Sequence, residues 1–188
     1  MAKDYVLSVM ARDRVGIVAA LTGAIAELGG NIDAMSQTVM QGYFTIIVTV
    51  HFDQDMDAAA LVAAVKRKGA RGELEVSVQE RAVLEPEPPV KDAERFILTI
   101  SGLDRKGIMH RVTSYLASRN VNIEDLYAYV EGTQFLLVAQ LQIPPGLEVE
   151  RLQMDVGSLW PGGEMKVSLQ HENVFLATGQ VDFRHKMS

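Results

Sequence analysis

Two short stretches of this chain hold residues whose types and spacing suit the capture of a small anion. They are Asp13-Arg14-Val15-Gly16-Ile17 and Asp104-Arg105-Lys106-Gly107-Ile108. In each, an alternating apolar segment runs in and an amphipathic helical pattern runs out, so the stretch reads as strand, tight loop and helix N-terminus. Such a junction aims unpaired backbone N–H groups and the positive end of a helix dipole at one spot, which suits a carboxylate. The same residues have a purely structural reading, in which Asp caps the helix and Gly permits a strained turn. Duplication copies a structural loop as faithfully as a functional one, so the recurrence establishes architecture and not a ligand.

A second element accompanies each loop. Asn31-Ile32-Asp33 is matched by Asn122-Ile123-Glu124, where the chain leaves the helix for the next strand. An Asn amide can donate to a carboxylate and accept from an ammonium, so Asn with a nearby acid could hold both ends of an amino acid. Asn is also a common turn residue that tolerates the left-handed region.

These residues need a scaffold, and the pattern supplies it twice. Asp104, Gly107 and Asn122 each follow Asp13, Gly16 and Asn31 by the same 91 positions. In the first copy Tyr5, Leu7 and Val9 mark an inner strand, and Ile17, Val18, Leu21, Ile25 and Leu28 form a helical stripe closed by Gly29-Gly30. A strand from Asn31 to Met40 turns at Gln41-Gly42 into a central strand carrying Phe44, Ile46, Val48, Val50 and Phe52. Asp57 then caps a helix with Leu61, Val62 and Val65, and Leu74, Val76 and Val78 close the unit. The second copy repeats this with a strand from Phe96 to Ser101, a stripe of Ile108, Met109, Val112 and Leu116, strands around Leu126 and Leu137, a helix opened by Pro144-Pro145-Gly146, and a last strand at Met165, Val167 and Leu169. Each βαββαβ order predicts an α+β, ferredoxin-like unit: an antiparallel four-stranded sheet with two helices on one face. The expected boundaries are 1–80 for the first domain, 81–94 for a Pro/Glu-rich linker, 95–171 for the second domain and 172–188 for a C-terminal extension. That extension carries Val174, Phe175, Leu176, Val181 and Phe183, apolar enough to dock on the body or on a second subunit.

Composition narrows the function. A net charge of −6 disfavours a general attraction to nucleic acid or anionic membrane, and 48% apolar with 22% charged residues is ordinary for a globular protein. With 0 Cys there is no thiol nucleophile or thiolate metal site, and the start of the chain lacks a signal-peptide core, so the cytoplasm is the expected compartment. Lys66, Arg67, Lys68 and Arg71 form a basic cluster that reads as a solvated helix C-terminus. His51, His110, His171 and His185 lack ligand spacing, and no nucleophile motif, P-loop or dinucleotide fingerprint occurs. No enzyme activity, cofactor or metal is expected. Each unit is short for a self-sufficient core, which points to an oligomer, with a homodimer the simplest form.

The βαββαβ order, with Asp-Arg-x-Gly-Ile at the first strand-helix junction and Asn-Ile opening the second strand, resembles the ACT domain, a small-molecule-sensing module usually specific for amino acids. The resemblance covers roughly Tyr5 to Gln79 and Phe96 to Gln170. It implies side-by-side pairing of domains, with an amino acid held between the loop of one and the second strand of its neighbour. By position the ligand-binding candidates are Asp13, Arg14, Gly16, Ile17, Asn31 and Asp33, and Asp104, Arg105, Gly107, Ile108, Asn122 and Glu124. Family members often have Pro before the motif Gly, where this chain has Val15 and Lys106. The same topology serves RNA-binding RRM domains, but Gln41-Gly42-Tyr43-Phe44 lacks the leading basic residue of their aromatic motif. It also serves acylphosphatases, yet here Arg12 and Arg14 flank a carboxylate that would oppose a phosphate. The expected function is a regulatory protein that binds an amino acid and signals through a protein partner; the alternative is a dimerisation scaffold without a ligand.

Overall fold

The computed structural model describes residues 2–81, 93–160 and 162–177. Most of the expected linker and the extension beyond residue 177 lie outside them. The chain divides into two compact units. The first is built from β1 (Lys3–Arg12), α1 (Ile17–Glu27), β2 (Asn31–Met40), β3 (Tyr43–Phe52), α2 (Ala58–Lys66) and β4 (Glu75–Glu80). The second has β5 (Glu94–Leu103), α3 (Ile108–Ser118), β6 (Asn122–Glu131), β7 (Gln134–Ile143), α4 (Val149–Ser158) and β8 (Met165–His171), followed by a short helix α5 (Glu172–Ala177).

Both sheets are antiparallel, in the orders β2-β3-β1-β4 and β6-β7-β5-β8. The period-2 alternation sets which face is covered. On β1 and β3, Leu7, Val48 and Val50 are fully buried at 0% exposure, and they meet Leu21 and Ile25 of α1 and Leu61 and Val65 of α2 in one core. Removing each such aliphatic side chain from water contributes roughly 1.5–3 kcal/mol. A second core of the same plan joins Leu98, Leu137, Leu116 and Leu152. α1 and α2 in the first unit, and α3 and α4 in the second, therefore cover one sheet face, as the sequence predicts.

Helix ends follow the local chemistry. Asp57 caps α2, accepting the Ala60 N–H at 3.2 Å. α1 ends with Gly29 at φ 76, the Gly29 N–H reaching the Ala26 carbonyl at 2.9 Å and the Gly30 N–H the Ile25 carbonyl at 3.0 Å. That double closure satisfies carbonyls the helix leaves orphaned. Asn120, at φ 55, does the same for α3.

Four expectations need correction. Asp13 and Asp104 do not cap their helices: Gly16 and Gly107 occupy the N-cap positions at φ 90 and 87, with no side-chain cap. A side-chain cap is supplied by the N-cap residue itself, and each Asp lies three positions before that glycine. Val18 is 37% exposed, because it lies in the first turn of α1 at the edge of the buried stripe, about 70° around the helix from the stripe's centre. Leu74 precedes β4 rather than lying in it, and β5 already begins at Glu94.

Part of the C-terminal extension docks as expected. Ile97, on the sheet face away from α3 and α4, is buried without joining the core, and so is Phe175 of α5. Gln140, the cross-strand partner of Ile97, donates its side-chain N–H to Glu172 at 3.1 Å. α5 thus lies across the open face of its own sheet.

Candidate functional site

Each loop is held on two sides. On one side the Asp13 N–H donates to the Gly42 carbonyl at 2.9 Å, and the Asp104 N–H to the Thr133 carbonyl at 2.8 Å. The Asp therefore sits beside the β2–β3 or β6–β7 hairpin. On the other side Arg14 pairs with Glu73, and Arg105 with Glu164 at 2.6 Å, both acids lying in the turn that leads into the last strand. Arg14 and the Ala70 N–H hold the Glu73 carboxyl below its ordinary range. Both arginines, candidates for direct ligand contact, thus brace the loop. Sequence reasoning missed Glu73 and Glu164, although they share the 91-residue spacing.

Asn31 and Asp33 lie at the start of β2, the edge strand. Ile32 pairs with Val50 and Ala34 with Thr49, which leaves Asp33 as the extra residue of a β-bulge. Ile123 pairs with Leu141 and Asp125 with Gln140, so Glu124 is bulged at the matching place on β6. A bulge bends an edge and re-aims a side chain out of the ladder. The two bulged carboxylates differ in their pairing. Arg95 grips Glu124 through two hydrogen bonds, at 2.8 and 3.2 Å, whereas Asp33 has no ion pair among the described residues. Asn31 is registered with His51, whose Nδ1 lies 2.6 Å from Asp4 and whose protonated form that carboxylate favours.

Within one unit the loop and the Asn do not meet. Asn31 pairs with His51 at one end of β3 and Arg12 with Tyr43 at the other, a separation of roughly 26 Å at 3.3 Å per residue. Gly16 and Ile17 stay with Asp13 at the far end, Ile17 being buried in the core. Asp104, Gly107 and Ile108 are likewise remote from Asn122.

Residues 5–70 match the family model of the ACT domain, and residues 94–167 match a second ACT-domain model. The chain belongs to the ACT domain family. ACT domains are regulatory modules that generally bind small ligands. Relatives include a UPF0237 protein of Streptococcus pneumoniae, 38% identical over 80 residues, which span 43% of this chain and 91% of that protein. The UPF0237 protein of Methanosarcina acetivorans is 39% identical over 80 residues, 42% of this chain and 87% of that one. Among solved structures, an unknown protein from Galdieria sulphuraria shares the fold at TM-score 0.71 and 23% identity, covering 91% of this chain and 99% of that one. A candidate glycine cleavage system transcriptional repressor does so at TM-score 0.61 and 16% identity, over 90% and 97% of the two chains. The tandem ACT architecture resembles that repressor. No helix among the described residues is long and apolar enough to cross a membrane.

Proposed function

We propose that this protein is a non-catalytic cytoplasmic regulator that binds an amino acid between two ACT domains and passes occupancy to a protein partner. The observation that carries the reading is the edge strand: β2 pairs on one side only among the described residues and begins with Asn31 and a bulged Asp33. If β2 pairs antiparallel with the edge strand of another domain, its start lies beside the neighbour's hairpin. That hairpin carries the Asp loop, because Gly42 binds Asp13 and Thr133 binds Asp104. Asn and Asp groups some 26 Å apart in one unit would then face each other across the joint, with donors for a carboxylate and acceptors for an ammonium.

The mechanism is linkage: a ligand that bridges two domains favours their paired arrangement by its differential affinity for it, and a partner reads that arrangement. The likeness in fold to a candidate glycine cleavage repressor puts transcriptional control of amino-acid metabolism first among the processes to test. Calorimetry with the common amino acids tests the site. Binding of one of them, weakened by Asn31→Ala or Asn122→Ala, supports it; no binding by any refutes it. The loop arginines favour a second reading, a homodimerising scaffold without a ligand, since both are occupied by glutamates. Fixed stoichiometry with one partner and no metabolite-induced shift in melting temperature would select it.

A further inference from the structure

The two Asp-Arg loops diverge on their arginine sides. In the second unit the loop after β5 and the turn before β8 enclose a cleft of about 120 Å³ lined by Arg105, Lys106, Arg111, Trp160, Gly162 and Glu164. Glu164 is committed to Arg105, and Arg111 donates to the Leu159 carbonyl at 3.3 Å, while Lys106 has no ion pair among the described residues. Three cations against one carboxylate leave two positive charges in excess, and α3 adds the positive end of its dipole directly after Lys106. In the first unit Val15, Ala20 and Gly69 occupy the positions of Lys106, Arg111 and Trp160, Arg71 stands in place of Gly162, and the Arg–Glu pair is kept. The extra charges are therefore not needed to build the fold. Clustering them costs repulsion that an anion would relieve.

We propose that this cleft binds a small dianion, a phosphate group or a dicarboxylate, through Arg105, Lys106 and Arg111. The excess of two charges matches a doubly negative group, and the volume admits one such headgroup but no nucleotide. The buried ring of Trp160, 6% exposed, forms part of its wall. This site needs no pairing of domains. It lies on the side of the loop opposite the hairpin, so the second unit would sense a different class of molecule from the amino acid proposed above.

The chain has a single tryptophan, so its emission reports on the cleft alone. The full chain should be titrated with inorganic phosphate and with succinate at constant ionic strength, against chloride and glycine. A saturable change at millimolar concentration with either dianion, absent with chloride and glycine, is expected. Saturation by phosphate only assigns a phosphoryl group, by succinate only a dicarboxylate, and by both a dianion without further selection. Lys106→Val with Arg111→Ala, which copies the first unit at these two positions, should weaken binding at least about tenfold, as loss of two charge-assisted contacts implies. If the double variant loses its circular dichroism signature, Lys106→Val alone, at an exposed side chain, carries the comparison. Asn31→Ala and Asn122→Ala should leave this titration unchanged, which separates its failure from failure of the amino-acid site. No saturation by either dianion, or equal titration of the variant and the parent, overturns the proposal.

Discussion

Arg105 Nη2 lies 2.6 Å from Glu164 Oε2, and Arg14 and Glu73 make the same pair 91 positions earlier. The pair ties the strand-helix loop to the turn before the last strand, so both loops are presented from a braced frame. It also has a pH signature. Glu73 is held below its ordinary pKa by Arg14 and the Ala70 N–H, so its contribution to stability is complete above the unfolded value near 4.5 and fades as pH falls through the folded one. Melting temperatures taken from pH 6 down to pH 3 should therefore drop less steeply in Glu73→Gln than in the parent.

His51 predicts the opposite slope. Its ring is hydrogen-bonded first to Asp4 and then to Asp53, and both favour the imidazolium. A raised folded pKa gives stability that is complete below the unfolded value near 6.5 and lost as pH rises through the folded one. Asp4→Asn should flatten the decline in melting temperature between about pH 6 and pH 8. The imidazole proton shifts of His51, followed by NMR, should move to a lower midpoint in that variant. An unchanged midpoint would remove Asp4 as the cause.

The fold was legible because its signals are local. The alternation of Tyr5, Leu7 and Val9, the Gly29-Gly30 stop, the Asp57 cap and the Gln41-Gly42 turn each act within a few residues, and each is found where expected. The site was legible only in its parts. That Arg14 is committed to Glu73 depends on two loops 59 residues apart, and no spacing rule reaches across them. The Asp capping expectation failed for a subtler reason: Gly16 in the left-handed region starts α1 without a side-chain cap, so the two structural roles assigned to the loop were not both needed. The bulges at Asp33 and Glu124 were invisible because a bulge changes pairing without changing the alternating pattern on the next strand.

Where the two units differ by one atom group, packing makes a sharp prediction. A Cβ on Gly102 would lie 2.4 Å from the Glu164 carbonyl oxygen and 2.5 Å from the Met165 sulfur. At the matching place the first unit has Ala11, buried at 5% exposure. Gly102→Ala should destabilise the second unit by about 1–3 kcal/mol through overpacking against backbone that cannot give. Ala11→Gly should cost the first unit roughly 1–2 kcal/mol, from chain entropy and the lost methyl. Urea denaturation followed by Trp160 emission reads the second unit selectively, so only Gly102→Ala should move that transition.

The bulge carboxylates carry the last test. Asp33 and Glu124 occupy the same bulged position, but Arg95 already neutralises Glu124 through its two hydrogen bonds. An amino-acid ammonium arriving at the start of the second strand would therefore find an available charge at Asp33 and a committed one at Glu124. A charge-assisted hydrogen bond contributes about 1.5–3 kcal/mol, so Asp33→Asn should weaken amino-acid binding by roughly ten- to hundredfold. Glu124→Gln should change it by less than about threefold, because the lost charge was spent on Arg95. Arg95→Ala frees Glu124 and should restore the second position's sensitivity: in that background Glu124→Gln should weaken binding as Asp33→Asn does in the parent. Equal effects of Asp33→Asn and Glu124→Gln in the parent protein would mean that the Arg95 pair opens when ligand binds, and the two domains would then have to be read as equivalent sites.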